Sequence, residues 1–231
     1  MEIFTKPQPH EEAEIPLALA DGCVNIKVTA RSVTFYISMK RYIKSAINNI
    51  LDESTWFQME QASHTDDPRV LAQLAKSPNL QVRYRVACNP CTSISTLATL
   101  TEDSDEYVRA GVAENDNVTE DLLRKLGNDD TRVVLEWVAL NNKTPSDVLI
   151  KLTGSYRDVR KFAAMHHNAP AELLVKLADN MDTDIRVAVA ENENTPIEIL
   201  KKLYNDSSWE VRASAEAAYL DRTGHFIDEE L

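Results

Sequence analysis

The sequence predicts an all-α fold, a solenoid built from a stack of short helix pairs, and three observations carry this prediction. The segment VACNPCTSISTLATL recurs four further times along the chain at nearly constant spacing. Leucines hold fixed offsets in every copy. The 231-residue chain contains only 5 glycines, which disfavours turn-dense β-sandwiches.

An anchor position, usually asparagine, defines a repeat of about 26 residues. The intervals between successive anchors are 26, 26, 25 and 26 residues, and degenerate copies place anchors at Ser63 and Ala218. Leucine follows the anchor by eight and by eleven residues in six copies, so six to seven repeats are expected. The anchors are Asn89, Asn115, Asn141, His166 and Asn192; the leucines are Leu71, Leu97, Leu123, Leu149, Leu174 and Leu200, then Leu74, Leu100, Leu126, Leu152, Leu177 and Leu203.

Each repeat is predicted to form two helices. Before the anchor, apolar residues four apart, such as Val82 and Val86, indicate one buried stripe. Short polar residues stand four before a recurrent arginine position and suit helix N-caps. They are Asn79, Asp105, Thr131, Asp182 and Ser208. After the anchor, Thr144-Pro145 and Thr195-Pro196 predict a capping threonine followed by proline in the first turn. The leucine columns then lie on the buried face of a second helix of about two turns.

The repeated motif V-R-x-x-V-A-x-N-P-x-T-P-x-x-L-L-x-x-L resembles the leucine-rich repeat variant (LRV), a relative of HEAT repeats. Its copies cover roughly residues 54–220. The resemblance implies a right-handed superhelix. Some family members carry a cysteine-ligated iron–sulfur cluster ahead of the repeats; here Cys23 alone precedes them, so no cofactor is expected. Leu135 replaces the motif arginine and His166 replaces the asparagine, both near the middle of the array.

Four segments are expected along the chain. Residues 1–20, with Pro7, Pro9 and Pro16, predict a flexible lead-in, and residues 54–220 form the solenoid. In residues 21–53, alternation over 24–39 predicts one or two strands, and an amphipathic pattern over 40–52 predicts a helix. This segment is expected to cap the first repeat, because a solenoid needs a polar end. The alternative is that its strands pair with a partner's edge strand. Residues 221–231 form a tail.

The net charge is −12, from 25 basic and 37 acidic residues, and it disfavours binding to nucleic acid or to an anionic membrane. No apolar run approaches a membrane span, and the start of the sequence lacks the features of a signal peptide. Three cysteines are too few for a disulfide framework. A cytoplasmic location is therefore expected.

Two columns of basic residues recur through the repeats. The arginines are expected to be structural, each pairing with an acid or a helix carbonyl at a repeat junction, with Asp105 and Asp182 as candidates. The lysines have two interpretations. Either they form a positive stripe that binds anions, or they are solvated and complement the negative C-terminal ends of the helix dipoles. The arginines are Arg83, Arg109, Arg160, Arg186 and Arg212; the lysines are Lys125, Lys151, Lys176 and Lys202.

Apolar and acidic residues suggest where a protein partner binds. The first helix of each repeat is expected to expose positions five and one before the anchor, where Leu140 and Met165 replace polar or small residues. Trp137 and Phe162 lie on the adjacent face of the same helices. They either contact the partner or fill gaps in the core between repeats. The loops between repeats concentrate acids that could steer a basic protein. The acids assigned to this role are Asp129, Asp130, Asp182 and Asp184.

No catalytic pattern is visible in the sequence, which lacks a Ser-His-Asp set, a phosphate-binding glycine loop and a calcium loop. Cys88 and Cys91 have the spacing of half a metal site, but no second pair follows, so no metal is expected. The sequence therefore predicts a non-catalytic scaffold for a protein partner, with an inhibitor or adaptor of a basic protein as one version. The alternative is a HEAT-like protein that binds or processes nucleic acid through the lysine stripe.

Overall fold

The computed structural model describes residues 13–19, 22–28 and 53–227. The chain divides into two compact units, Met1–Phe57 and Gln58–Leu231. In the first unit, strands β1 (Ala13–Leu19) and β2 (Gly22–Val28) pair antiparallel, with Ile15 opposite Ile26. Strand β2 overlaps the predicted alternation, whereas β1 lies within the segment expected to be a lead-in. The predicted helix over 40–52 lies outside the described residues, and the role of residues 21–53 as a cap stays a prediction.

Thirteen helices follow over residues 53–227, in six pairs and a closing helix. This confirms the all-α solenoid; its handedness stays a prediction. The first helices of the pairs are α1 (Glu53–His64), α3 (Leu80–Cys88), α5 (Glu106–Glu114), α7 (Arg132–Leu140), α9 (Arg157–Met165) and α11 (Thr183–Glu191). The second helices are α2 (Pro68–Leu74), α4 (Ile94–Leu100), α6 (Glu120–Leu126), α8 (Ser146–Leu152), α10 (Ala171–Leu177) and α12 (Ile197–Leu203), and α13 (Trp209–Thr223) closes the stack.

The leucine columns form the buried seam of the stack. All twelve side chains are buried. Eleven of them join the valines and alanines of the first helices in one core, and Leu200 packs instead with Tyr219 and Ile227. A helix of seven residues is too short to be stable alone, so this burial between repeats supplies its stabilisation. The N-cap positions of the first helices lie where expected, and the side chain of Asp105 accepts hydrogen bonds from the backbone N–H groups of Tyr107 and Val108. Thr131 and Ser208 occupy their N-cap positions without a side-chain cap hydrogen bond.

Two local expectations are wrong. Thr144 and Thr195 do not cap the second helices, because each hydroxyl donates back to a carbonyl in the last turn of the preceding first helix. Pro145 and Pro196 take the cap positions instead. The position five before the anchor is not generally exposed either, since Ala110 is buried against the neighbouring repeat.

The anchor asparagines form a buried ladder that joins each repeat to the one before it. The amide Nδ2 of Asn115 donates to the carbonyls of Ala87 and Asn89, at 2.6 and 2.9 Å. Its Oδ1 accepts from the backbone N–H of Asn117 at 2.7 Å. Asn89, Asn141 and Asn192 repeat the pattern. The anchor column therefore satisfies backbone groups that would otherwise be buried without partners.

His166 reproduces the asparagine pattern with its imidazole ring. The backbone N–H of Asn168 donates to Nδ1 at 3.0 Å, so Nδ1 carries no proton. Nε2 must then be protonated, and it donates to the carbonyl of Asn141 at 2.9 Å. Burial, which outweighs the hydrogen bond to Asn141, lowers the pKa of His166. The ladder thus holds a neutral imidazole.

The arginine column forms a second ladder of ion pairs, as expected, but with different acids. Arg83, Arg109 and Arg186 each bind, through Nε and Nη2, the carboxylate that lies 20 residues later; these acids are Asp103, Asp129 and Asp206. The Nε–oxygen distances are 2.6, 2.6 and 2.7 Å, and both partners are largely buried. Burial alone would raise the pKa of Asp103 and Asp129, but hydrogen bonds from the arginines hold both below the ordinary value.

This ion-pair ladder is interrupted in the middle of the stack. Leu135 takes the place of arginine, and Ser155 stands at the corresponding acid position, with its buried hydroxyl unpaired. In the next repeat Arg160 faces Asn180 rather than aspartate, and its buried Nε is also unpaired. The loop between α8 and α9 is one residue shorter than its equivalents, which accounts for the 25-residue interval. The joints at this point therefore lack the buried ion pair, and more exposed ion pairs of Arg132 with Asp158 and of Arg157 with Asp182 and Asp184 span them instead.

The C-terminal end of the stack is closed by the chain itself. Helix α13 ends at Gly224, which has a φ of 76° and whose N–H donates to the carbonyl of Leu220. Ile227 then packs against Leu200 and Tyr219. Part of the predicted tail is therefore helix and cap, and residues 228–231 lie outside the described residues.

Replacement of Leu149 by Ala is expected to lower the free energy of unfolding by about 2–5 kcal/mol, because the side chain is fully buried in the seam. Denaturant unfolding followed by circular dichroism measures the loss. Leu80→Ala, at a site 38% exposed, serves as the control and should cost under about 1 kcal/mol. Equal losses at both sites would contradict the assigned seam.

Replacement of Asn180 by Asp is expected to restore the missing ion pair and to raise the free energy of unfolding by about 1 kcal/mol. The new carboxylate lies at the spacing used by Arg186 and Asp206, and Arg160 Nε lacks a partner. The gain should disappear in the background Arg160→Met, as a double-mutant cycle on unfolding midpoints would show. A gain of equal size without Arg160 would refute the proposed pairing.

The stability of the protein is expected to depend on the protonation of His166. Because its pKa is lowered on folding, the unfolded chain takes up this proton first, and the contribution to stability is lost as pH falls through and below 6.5. His166→Asn keeps the ladder pattern without a titrating ring, so its advantage over the native chain should grow between about pH 7 and pH 5. His64→Gln, at an exposed site in the first repeat, is the control. A difference independent of pH would exclude this role for His166.

Candidate protein-interaction surface

The exposed apolar residues of α7 and α9 form a patch on the first-helix side of the stack. Leu140 and Met165, each one residue before the anchor, are 46% and 58% exposed. Trp137 and Phe162 are half-buried and pack against the core beneath them. We call these four residues the apolar patch. Trp137 and Leu140 line one groove, and Phe162 and Met165 lie on the next first helix along the stack. Trp137 and Phe162 belong partly to the core and partly to the surface, and the role of the four residues in binding a partner stays a prediction.

The repeat geometry explains how Trp137 reaches the neighbouring helix. Residues four before one anchor face residues one before the previous anchor: a Cβ on Gly111 would lie 3.0 Å from the Sγ of Cys88. Likewise Ser214 Oγ donates to Glu191 Oε1 at 3.2 Å. By the same equivalence Trp137 on α7 faces Glu114 on α5. An added Cβ at Gly111 would be crowded by α3, so the neighbouring side chains would have to move by a few tenths of an ångström.

A groove of about 410 Å³ opens at this junction, between the C-terminal ends of α5 and α7. Trp137 and Leu140 supply its apolar wall, and Glu114 and Asp116 supply two carboxylates. Lys143 lies at its rim, with Nζ donating to the backbone carbonyl of Asp116. We call this cavity the indole groove. Sequence reasoning identified Trp137 and Leu140 but missed Glu114 and Asp116, although their places beside the anchor could have indicated them.

The lysine column does follow one line along the second helices, but each ammonium group has an acceptor in the preceding repeat. The acceptor always lies 23 residues earlier. Lys125 and Lys202 form ion pairs with Glu102 and Asp179, both at 2.5 Å. Lys151 donates to Asn128 at 2.9 Å, and Lys176 donates to Thr153 at 2.7 Å. The column thus ties neighbouring repeats together, and the carboxylates of Glu102 and Asp179 weaken its field as an anion stripe at two of the four lysines.

The acids assigned to steering are mostly engaged in intramolecular ion pairs. Asp129 belongs to the Arg109 pair. Asp182 and Asp184 both contact Arg157, at 2.5 and 2.8 Å, and hydrogen bonds from its guanidinium lower the pKa of each. Asp130 is exposed, and its backbone carbonyl accepts from the hydroxyl of Tyr156.

Two polar grooves of about 520 and 550 Å³ flank the second-helix ends. Arg109 and Asp129 line the first groove, and Arg186 and Asp206 line the second. Both grooves are therefore walled in part by the ion-pair ladder, whose polar groups already have partners.

The remaining groups singled out in the sequence have structural surroundings. Cys88 and Cys91 carry free thiols, and burial raises the pKa of Cys88 to about 12, which leaves this thiol protonated and unreactive at neutral pH. Over residues 53–227, no helix has both the length and the apolar composition that a membrane crossing requires.

Comparison with solved structures confirms the LRV-like repeat architecture. A structure described as a leucine-rich repeat variant with a novel repetitive protein structural motif is 25% identical, with a TM-score of 0.53. The alignment covers 65% of this chain and 61% of that one, so the chain spans about three-fifths of the length of the LRV structure.

Designed repeat proteins give weaker matches. A designed armadillo repeat protein aligns over 70% of this chain and 97% of its own, with 18% identity and a TM-score of 0.35. Another, solved in complex with the peptide (KR)4, aligns over 78% and 92%, with 16% identity and a TM-score of 0.34. No family model matches the chain, and no curated protein does either.

Proposed function

We propose that this protein is a non-catalytic repeat scaffold that binds a protein partner through the first-helix side of its stack, and that the partner is basic. The observation that carries the proposal is the apolar patch. Leu140 and Met165 are exposed at positions where the flanking repeats place Glu114 and Glu191. Apolar side chains on successive helices, anchored by aromatic residues beneath, have the composition of an interface core.

The sign of the partner's charge follows from the surroundings of the patch. Its neighbours on the same side include Glu114, Asp116 and Glu191, and the chain carries a net charge of −12. Asp129 is paired with Arg109, and Asp182 and Asp184 share the one guanidinium of Arg157, so we assign long-range steering chiefly to the surplus of acids over bases, with Asp130 among the exposed acids. An inhibitor or adaptor of a basic protein fits this description.

The nucleic-acid alternative rests on the lysine column. Each of its four ammonium groups is held by an acceptor in the preceding repeat, and the surrounding loops are acidic. We therefore rank this alternative second. Titration of labelled duplex and single-stranded DNA at low salt distinguishes the two, because phosphate binding is strongest there. Saturable, salt-sensitive DNA binding would reverse the ranking.

The apolar patch is tested with the double variant Leu140→Ser and Met165→Ser. Both side chains point outward, so the free energy of unfolding should change little, whereas partner capture should fall by at least tenfold. The control is Val175→Ser with Met181→Ser, which removes exposed apolar residues elsewhere on the stack. Proteins captured by the native chain and by the control, but not by the patch variant, are quantified by mass spectrometry across a salt series.

Three results support the proposal when they occur together: loss of capture in the patch variant alone, a positive net charge of the captured protein, and weaker capture at raised salt. Capture that is equal in the native chain and the patch variant refutes the patch as the binding site. Capture of an acidic partner refutes the charge assignment.

A further inference from the structure

The junctions between successive first helices differ in what they place face to face. At each one, the residue before an anchor meets the residue four before the next anchor, as the Gly111 and Ser214 contacts show. Among the junctions over residues 53–227, one combines a carboxylate with an aromatic ring, and it is the junction that forms the indole groove. The six pairs are Ala62 with Arg85, Cys88 with Gly111, Glu114 with Trp137, Leu140 with Phe162, Met165 with Ala188, and Glu191 with Ser214.

The carboxylates of the groove retain acceptor capacity. Glu114 Oε2 accepts one weak hydrogen bond from the Sγ of Cys88, at 3.5 Å. An ionised carboxylate offers about four lone-pair sites, so most of its capacity remains. Asp116 is exposed, and the contact from Lys143 is to its backbone carbonyl rather than to its carboxylate. Two carboxylates against one ammonium group leave the lining with a net negative charge.

The chemistry of the lining selects its occupant. An aliphatic side chain would cover Trp137 and Leu140 but would desolvate the two carboxylates without compensation. A cation over the indole face gains the attraction of the ring and also donates charge-assisted hydrogen bonds to the carboxylates. A planar guanidinium does both at once, since it stacks on an aromatic ring and presents several N–H donors at its edge. Its methylene stem can lie along Leu140.

We propose that the indole groove binds the side chain of an arginine, with its guanidinium stacked on Trp137 and hydrogen-bonded to Glu114 and Asp116. The proposal rests on the proposed function in one respect, namely that the arginine belongs to a protein partner. It adds to that function a specific anchor, because the groove adjoins Leu140 of the apolar patch. A basic residue followed by apolar residues in the partner would engage the groove and the patch together.

The test uses arginine amide with an acetylated N-terminus as the probe, and the indole N–H signal of Trp137 in a ¹⁵N-labelled protein as the readout. The Trp137 signal is assigned among the three tryptophans with Trp137→Phe. The corresponding citrulline derivative has the same shape but no charge. The arginine probe should shift the signal saturably, and citrulline should bind at least tenfold more weakly. The lysine derivative should fall between them.

The matched variants are Glu114→Gln and Glu191→Gln. Both remove one carboxylate at the same position of the repeat, but Glu191 faces Ser214 rather than an aromatic ring. Glu114→Gln should weaken arginine binding by about tenfold, which corresponds to about 1.4 kcal/mol. Glu191→Gln should change it by less than twofold. Unfolding curves of both variants verify that the stack remains intact.

Three outcomes overturn the proposal: no saturable shift of the Trp137 signal, equal binding of arginine and citrulline, or equal weakening by both glutamine variants, which would mean attraction to the net charge alone. Different results would refute the proposed function and the arginine anchor. If the patch variant captures the same partner as the native chain while the arginine probe still binds, the arginine site in the groove is supported and the patch as the partner-binding site is refuted. If partner capture depends on the patch but not on Glu114, the proposed function is supported and the arginine anchor in the groove is refuted.

Discussion

The hydrogen bond from each anchor side chain to the carbonyls of the preceding repeat is the constraint on which the stack depends. Helices of seven and nine residues are not stable in isolation. The turn between the two helices of a repeat also contains backbone N–H and C=O groups that are buried and need hydrogen-bond partners. The asparagine amide satisfies those groups with a donor on one side and an acceptor on the other. Because a buried polar group without a partner is costly, the ladder fixes the spacing and the register of the repeats as well as their cohesion. The leucine seam supplies the larger stabilisation, but it is not directional and could tolerate a slip.

The sequence was sufficient for the periodic part of the fold and insufficient wherever a contact joins residues far apart in the chain. The leucine columns and the N-cap positions of the first helices could be predicted because their period and chemistry are local. The partners of the arginines could not, since Asp103, Asp129 and Asp206 lie 20 residues downstream in the next loop. A search for aspartates in register with the anchor would have found this column. The groove escaped prediction for the same reason, because Glu114 and Trp137 meet only when two helices pack side by side.

The irregular repeats and the candidate surface coincide in the chain. Leu135, Ser155 and Asn180 interrupt the ion pairs, the loop before α9 loses one residue, and His166 replaces an anchor asparagine. Trp137, Leu140, Phe162 and Met165 occupy the same two repeats. A stack selected for stability alone would keep its ion pairs and place polar residues on the outside. Departure from both rules in the same repeats is typical of a functional site, where local stability is exchanged for binding.

The distribution of charge then connects the ladder to the surface. Over residues 53–227, most of the basic side chains bind acids or other acceptors within the stack: arginines bind aspartates at the joints, and lysines bind acceptors of the previous repeat. In this part of the chain acids outnumber bases, and several carboxylates, such as those of Asp116 and Asp130, are exposed. Exposed carboxylates cost little when the protein is alone. Their field reaches about 8 Å at physiological salt, far enough to orient a basic protein over the first-helix side before apolar contacts form. The paired charges of both signs thus belong to the architecture, and under the proposed function the exposed acids would meet the partner.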